Sequence, residues 1–165
     1  MSGFSIREAL ESDLPVLNEI YNYYVAHSTC TYQTEPSTSE ERRRWFEEHR
    51  EHYVVTVAEV KGKVAGWASL TQFHSRAAYR FTVENSVYVH PDHLRQGVGR
   101  ALLADLIERG KRRGFHTIIA VISRDQIPSI KLHQDFGFAR AGLLERVGNK
   151  FDQWLDVVYM QLMLE

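Results

Sequence analysis

A short, almost purely apolar run, Thr117 to Ile122, is the feature that most restricts how this chain can fold. Strands with one face in water alternate apolar and polar residues, whereas this run has no polar side chain after Thr117. It therefore predicts a central strand that is buried on both faces. Elements that cover both faces of a sheet are helices in the common architectures, so the run favours an α/β fold.

The elements predicted around this run fit one compact α/β domain over residues 1–165. Apolar residues at helical spacing predict helices over 12–27, 39–50, 97–113 and 127–136. Runs rich in β-branched and aromatic residues predict strands over 4–9, 53–60, 63–70, 82–89, 117–122, 139–147 and 154–164. This order of elements fits a mixed sheet with helices on both faces.

Two helix starts depend on capping residues. Ser12 is placed to cap the first helix. For the second helix, Ser37 with Glu40 and Thr38 with Glu41 both have capping-box spacing, so the sequence leaves two starts open.

Composition excludes several classes of protein. A chain of 165 residues, 44% hydrophobic and 25% charged, predicts one folded domain rather than a disordered chain. Twenty Lys+Arg against 21 Asp+Glu give a net charge of -1, so an overall basic field for nucleic acid is absent. The longest apolar run is far below the roughly 20 residues that span a bilayer, and residues 1–5 lack a secretory pattern, so no membrane partner is expected. The single cysteine, Cys30, rules out an intrachain disulfide and predicts the reducing cytoplasm.

A glycine-containing turn joins the strand over 82–89 to the helix over 97–113. Gly97 and Gly99 have no Cβ, so a bulky anion can approach the backbone, and the first helical amides point at it. The turn predicts a phosphate or pyrophosphate site. No Gly-Lys-Ser/Thr follows, which excludes a P-loop, and a third glycine is missing from the dinucleotide fingerprint. The alternative is that the glycines only permit tight packing.

Short segments along nearly the whole chain form a larger pattern. They are Ile20-Tyr21-Asn22, Thr34-Glu35-Pro36, Trp45-Phe46, Ala78-Tyr79-Arg80, Thr82-Val83-Glu84, Ser86 to Pro91, Gly97 to Leu102, Ser129-Ile130, Leu132-His133, Gly137-Phe138, Lys150-Phe151 and Trp154-Leu155-Asp156. In this order and spacing they resemble the GNAT superfamily of acyl-CoA-dependent N-acetyltransferases, within it the phosphinothricin and methionine sulfoximine acetyltransferase branch. The resemblance implies the GNAT fold, with a mixed, mostly antiparallel sheet, acetyl-CoA as cosubstrate, no metal, and a homodimer.

The resemblance places acetyl-CoA along one strand and around the glycine turn. Its arm would pair with the backbone of Val87, Tyr88 and Val89, and an amide near Val89 would bind the oxyanion. Its pyrophosphate would be wrapped by Arg95, Gln96, Gly97, Val98, Gly99 and Arg100. Leu94 departs from the superfamily, which has a polar residue there. Gln126 replaces an asparagine that contacts the cofactor, and keeps the amide for that contact.

Two residues are candidates for proton transfer. Glu84 is the predicted general base, acting through a water, because a partly buried carboxylate has a pKa closer to neutrality. In regular alternation it shares a strand face with Ser86 and Tyr88, a pattern equally typical of an ordinary solvated strand. His133 stands where much of the superfamily has the tyrosine that protonates the leaving thiolate. A lone helical histidine is also typical of simple packing.

The resemblance implies an amino-acid-like primary amine as the substrate. Arginine binds carboxylate or phosphinate oxygens in pairs, which makes Arg76 and Arg80 candidates. The other candidate contacts are Ala77, Ala78, Tyr79, Asn85, Ser86, Tyr32 and Phe151. His74 replaces an arginine common in the family, a change that bears on specificity.

Weaker interpretations stay open beside this one. His90 and His93 lack further ligands for a metal, and Cys30 lacks a local signature of a nucleophile. A protein N-terminal or lysine acetyltransferase of the same fold, and a non-catalytic acyl-CoA-binding module, are the competing functions. The resemblance implies that the homodimer uses residues 150–154, and Phe151 and Trp154 lie there in a polar stretch, where exposed aromatic side chains can mark an interface.

Overall fold

Seven strands form one sheet in a computed structural model that describes residues 3–165. Met1 and Ser2, which begin the N-terminal stretch without a secretory pattern, lie outside the described residues. The strands are β1 (Phe4–Glu8), β2 (Val54–Val60), β3 (Lys63–Gln72), β4 (Thr82–Val89), β5 (Thr117–Ser123), β6 (Ala139–Lys150) and β7 (Gln153–Met163). Their order across the sheet is β1-β2-β3-β4-β5-β7-β6, and only β4 and β5 are parallel. The predicted mixed, mostly antiparallel sheet is confirmed.

Helices cover both faces of this sheet. They are α1 (Leu14–His27), α2 (Ser39–His49), α3 (Val98–Arg112) and α4 (Ile127–Asp135). Leu102 of α3 packs in one hydrophobic cluster with Ala68 of β3, and Leu17 of α1 packs in a second cluster with the neighbouring Trp67. Adjacent residues of a strand point to opposite faces, so α1 and α3 lie on opposite sides. Among residues 3–165, no helix is long and apolar enough to cross a membrane.

The apolar run forms the central strand that it predicts. β5 lies between β4 and β7, and six of its seven residues are buried. Ile118 and Ala120 belong to the cluster that contains α3. The strand therefore forms the buried centre of the sheet, and a site can be built beside it.

The cap predicted for the first helix is wrong. Ser12 lies within a short 3-10 turn, Glu11–Asp13, and α1 begins only at Leu14. Pro15 occupies the first turn of α1, where its missing N–H costs no hydrogen bond. Asp13 precedes the helix without capping it, because its carboxylate accepts from Arg7 at 2.7 and 3.0 Å and from the Leu10 amide at 2.7 Å.

The second helix resolves the choice between two capping boxes. Thr38 accepts from the Glu41 amide at 3.2 Å, and the Glu41 carboxylate accepts from the Thr38 amide at 2.7 Å. The Ser37 backbone is held instead by Asn18 and Asn22. The start of α2 is thus set by Thr38 and Glu41.

We expect Thr38→Ala to lower the free energy of unfolding by about 1 kcal/mol, the usual cost of losing an N-cap. Ser37→Ala is the matched control, because the contacts of Ser37 are made by its backbone. It should change stability by less than about 0.5 kcal/mol in urea denaturation. Equal losses in the two variants would contradict this assignment of the cap.

The C-terminal hairpin is longer than predicted. β6 continues to Lys150 rather than ending at Val147, and the turn consists of Phe151 and Asp152 with φ of 53° and 58°. Positive φ at both central residues is the geometry of a tight two-residue hairpin turn. Gly148 and Asn149 look like turn residues in the sequence but pair with Leu155 and Trp154.

Candidate active site

The parallel pairing between β4 and β5 ends after three residue pairs, the last of which joins Glu84 to Ile119. Beyond that point β4 stays paired to β3 as far as Val89, and β5 stays paired to β7 as far as Ser123. The facing edges of the two strands therefore separate into a wedge. Unpaired strand edges carry hydrogen-bonding groups that an extended ligand can use.

A cavity of about 740 Å³ occupies this wedge. Its volume lies within the range of about 300–1,000 Å³ typical of small-molecule sites. It brings together fourteen of the residues predicted from sequence, namely Tyr32, Glu84, Asn85, Ser86, Val87, Tyr88, Val89, Arg95, Gly97, Val98, Gly99, Arg100, Gln126 and His133. Residues far apart in sequence thus converge on one concave surface.

The glycine turn lies at one end of the cavity. Arg95 and Gly97 both have positive φ, at 59° and 85°, and α3 begins at Val98 without a side-chain cap. When residues with left-handed backbone angles alternate with other residues before a helix, successive backbone amides point into one concave site. The helix dipole adds to the attraction of that site for an anion. The turn thus has the geometry of a phosphate cradle. Leu94 lines the cavity with its side chain half exposed, so the backbone supplies the donors.

Gly97→Val should weaken acetyl-CoA binding strongly, on the order of tenfold or more, because a branched side chain disfavours the left-handed backbone and fills the cradle. The control is Gly62→Val in the β2–β3 turn, where φ is +76° and nothing lies within 4 Å. Both variants carry the same backbone strain. Calorimetric titration should therefore show a loss of acetyl-CoA affinity in Gly97→Val alone. Normal acetyl-CoA affinity in Gly97→Val would place the anion elsewhere.

Glu84 lies at the closed end of the wedge. Its side chain is half-buried and burial alone raises the pKa of its carboxyl. It shares a strand face with Tyr88, whose ring packs 4.9 Å from Trp67 in the α1 cluster. The Glu84 carboxylate therefore belongs to the side of the sheet that α1 covers, with a pKa moved toward the value that suits a general base.

His133 approaches the wedge from the opposite side. Asn85 and His133 are 7% and 3% exposed, and Asn85 Nδ2 lies 2.9 Å from His133 Nε2. His133 Nδ1 lies 2.7 Å from the Ser129 carbonyl oxygen, which can only accept. Nδ1 therefore donates to Ser129 and Nε2 accepts from Asn85. Burial lowers the pKa of His133, which favours this neutral ring.

A loop after α1, residues 28–32, closes another side of the cavity, and we call it the 28–32 segment. Cys30, Thr31 and Tyr32 of this segment line the cavity. Gln126 Nε2 donates to Thr29 Oγ1 at 2.8 Å, so this amide holds the segment.

Sequence reasoning missed several lining residues, including Tyr24, Cys30, Thr31, His93 and Ser123. Tyr24 fits the apolar spacing of α1 and so resembles a core residue. In the structure its hydroxyl donates to the Val89 carbonyl at 2.5 Å, and burial raises its pKa to about 12. No local pattern distinguishes such a residue, because its partner lies 65 positions away.

Some predicted residues lie outside the cavity. Arg76, Ala77, Ala78, Tyr79 and Arg80 form an exposed loop before β4, Phe151 lies at the β6–β7 turn, and the Gln96 side chain donates to the Asp92 carbonyl. Their roles stay predictions.

The His90 and His93 rings lie 5.8 Å apart, and residues 3–165 hold no group of three or more His, Cys, Asp or Glu placed to bind a metal.

Comparison with known proteins agrees with this geometry. Residues 17–138 match the acetyltransferase (GNAT) family. The chain is 39% identical to the L-methionine sulfoximine/L-methionine sulfone acetyltransferase of Salmonella typhimurium, over 98% of this chain and 95% of the relative. The chain therefore belongs to the GNAT family of acetyltransferases, and the predicted family and fold class are confirmed.

Two solved structures are similar over almost the whole chain. A phosphinothricin acetyltransferase from Sinorhizobium meliloti, in complex with acetyl-CoA, superimposes with a TM-score of 0.95 at 36% identity, covering 98% of this chain and 89% of that one. A ribosomal-protein-alanine N-acetyltransferase from Brucella melitensis superimposes with a TM-score of 0.95 at 40% identity, covering 97% and 99%. The fold is thus shared by relatives whose named acceptors differ.

Proposed function

We propose that this protein transfers the acetyl group of acetyl-CoA to the primary amine of a small amino-acid-like substrate of the phosphinothricin, methionine sulfoximine or methionine sulfone type. The observation that carries the proposal is the half-buried Glu84 at the closed end of a cavity whose other end is an anion cradle. Relatives named for such substrates, and a similar structure that holds acetyl-CoA, support it.

Acetyl-CoA fits the wedge in one direction. Its pyrophosphate would lie on the amides from Arg95 to Gly99, and its pantetheine arm would run along the open edge of β4 from Val89 toward Glu84. Backbone groups of β4 that face away from β3 can pair with the amides of the arm. This placement brings the thioester to the closed end of the wedge, near Glu84 and Asn85.

Glu84 would take a proton from the attacking amine, through a bound water. An ammonium group has no lone pair, so the amine attacks only after it loses a proton. A carboxylate whose pKa is raised by burial accepts that proton more readily near neutral pH. Holding the amine and the thioester side by side further accelerates the reaction through proximity.

The acetyl group would pass directly from sulfur to nitrogen. The amine nitrogen attacks the thioester carbonyl, the carbon–sulfur bond breaks, and CoA leaves as a thiol or thiolate. Burial raises the pKa of the Cys30 thiol, which disfavours the thiolate that an acyl-enzyme route requires. The acid role predicted for His133 requires one of its two hydrogen bonds to break.

A protein N-terminus is the second candidate acceptor, because one similar structure is named for ribosomal-protein alanine. A coupled assay of CoA release separates the two. The panel contains free amino acids, methionine sulfone, methionine sulfoximine, phosphinothricin and a peptide with N-terminal alanine. Turnover of the peptide but of no free amino acid would overturn the small-substrate assignment.

Glu84→Gln keeps the size of the side chain but removes the base, so turnover should fall on the order of 10²-fold near neutral pH. Acetyl-CoA affinity should change little. In the wild type, the rate should fall as pH drops through the Glu84 pKa, which lies above the ordinary range for glutamate. The variant should lack that limb, and its deficit should narrow at high pH, where more amine is already neutral.

Glu47→Gln, an exposed position on α2, is the matched control for this experiment and should retain wild-type turnover. The measurement is kcat and KM across the pH range. Wild-type kcat in Glu84→Gln at every pH would remove the base assignment. A raised amine KM with unchanged kcat would indicate binding alone.

We also propose that the protein works in the cytoplasm as a homodimer that forms through the β6–β7 hairpin. The single cysteine suits a reducing compartment. Four large apolar side chains of the hairpin, Leu144, Val147, Phe151 and Trp154, are 45–59% exposed. Exposed large apolar side chains are typical of protein interfaces, and a second copy of this chain is the partner that the family resemblance implies.

Sedimentation at micromolar concentration should give twice the 19.2 kDa mass of the chain. Trp154→Glu replaces the most exposed of these four apolar side chains with a charge and should shift the protein to the monomer. Leu10→Glu is the control, since Leu10 is 57% exposed outside the hairpin. A monomeric wild type would contradict the proposed interface.

A further inference from the structure

Lys150, the last residue of β6, is a buried cation whose partners are backbone carbonyls. It is 3% exposed, and its Nζ donates to the Ser28 and Thr31 carbonyls at 2.7 Å each. A buried ammonium group costs free energy even when it is hydrogen-bonded, and an apolar side chain would fill the space without that cost. What the ammonium adds is a connection between the hairpin and the 28–32 segment.

Gly148 makes a second connection, two residues earlier on β6. A Cβ placed on Gly148 would lie 2.4 and 2.6 Å from two ring carbons of Tyr32, so the ring lies directly on the glycine. The Tyr32 hydroxyl donates to Ser123 Oγ at 2.8 Å and lies 3.1 Å from the Asp156 carbonyl. The position of the Tyr32 ring thus depends on the missing side chain at 148.

The other side of the segment is held by the β5–α4 junction. The Asp125 carboxylate accepts from Thr29 Oγ1 and from Ser123 Oγ, each at 2.6 Å. Ser123 also accepts from Tyr32, so these polar contacts form one connected set. The segment is therefore clamped between the hairpin and the end of β5.

The segment lies on the face of the sheet that carries Glu84. The Tyr21 hydroxyl lies 3.0 Å from Thr31 Oγ1, and the Tyr21 ring is 5.4 Å from the ring of Tyr88. Glu84 and Tyr88 alternate on the same face of β4. The 28–32 segment is thus the wall of the cavity beside the proposed base, where the amine must approach.

We infer that Lys150 and Gly148 are positioning residues that fix the 28–32 segment as the wall of the amine-binding end of the cavity. The inference rests on the proposed function, because it assigns a role in recognising the amine. Neither residue lines the cavity. Both act through Cys30, Thr31 and Tyr32, which do.

Lys150→Met keeps most of the length of the side chain and removes its donors. We expect the amine KM to rise on the order of tenfold, with kcat within about threefold of the wild type. The Kd for acetyl-CoA should stay within about twofold, because the anion cradle is untouched. Lys150→Arg keeps the donors and should retain more amine affinity than Lys150→Met. Lys131→Met, at an exposed lysine of α4, is the control for loss of a positive charge.

Gly148→Ala tests the same wall without changing any charge, by pushing the Tyr32 ring from its place. It should raise the amine KM, whereas Gly142→Ala on the same strand should not, since nothing lies within 4 Å of Gly142. In a Tyr32→Ala background, Gly148→Ala should add no further effect. Equal KM values in the two glycine variants, or an acetyl-CoA Kd that rises in parallel with KM, would overturn the inference.

Cys30 provides a readout that needs no amine. It is the only cysteine of the chain and lies within the 28–32 segment, so labelling of its thiol reports on that segment. Removing the nearby Lys150 charge raises the pKa of the thiol and would by itself slow alkylation. Loosening of the segment should instead speed iodoacetamide labelling, on the order of tenfold, in both Lys150→Met and Gly148→Ala.

Labelling that is unchanged or slower in both variants would overturn the positioning role, whatever amine the enzyme uses. If the wild type acetylates no amine while labelling accelerates as expected, the proposed function fails and the clamping of the segment stands. The two failures are therefore distinguishable.

Discussion

The end of the parallel pairing at Glu84 and Ile119 is the feature on which the rest of the site depends. Beyond this point β4 pairs with β3 and β5 pairs with β7, so the gap between β4 and β5 continues along the rest of both strands. Apart from the Val89 carbonyl, which accepts from Tyr24, backbone groups at the gap have no partner strand in the middle of a sheet, where unsatisfied groups are costly unless water or a ligand binds them. A ligand with its own amides, arranged in an extended line, meets that requirement.

The two ends of the cavity have opposite electrostatic character. At the glycine turn, helical amides and the helix dipole attract an anion. At the closed end lies the Glu84 carboxylate, whose pKa burial raises, beside the position proposed for the thioester. In the proposed function, this separation would let one end bind the phosphates of the cofactor without its positive potential lowering the pKa of Glu84 at the other end.

Patterns over a few neighbouring residues predicted the strands and helices that depend on those residues. They could not predict contacts between residues that lie far apart in the sequence. The all-apolar β5, the helix after Gly97 and the alternation of Glu84 with Tyr88 follow from spacing along a few residues. The tie between Lys150 and Ser28 joins residues 122 positions apart, and the contact between Asn85 and His133 joins residues 48 apart. Ser12 failed as a cap because Arg7 and Pro15 together fix the start of α1 at Leu14. The hairpin was predicted too short because Gly148 serves the Tyr32 ring rather than a turn.

The sheet can be regarded as two half-sheets, β1–β4 and β5–β7, that share only the three residue pairs from Thr82 to Glu84. Beyond those pairs, the halves are joined by α3, which connects β4 to β5, and by side-chain packing. A cofactor whose arm lies between the halves, as proposed, would take the place of an eighth strand. The bound molecule would then support the fold as well as react, and each catalytic cycle would remove and replace it.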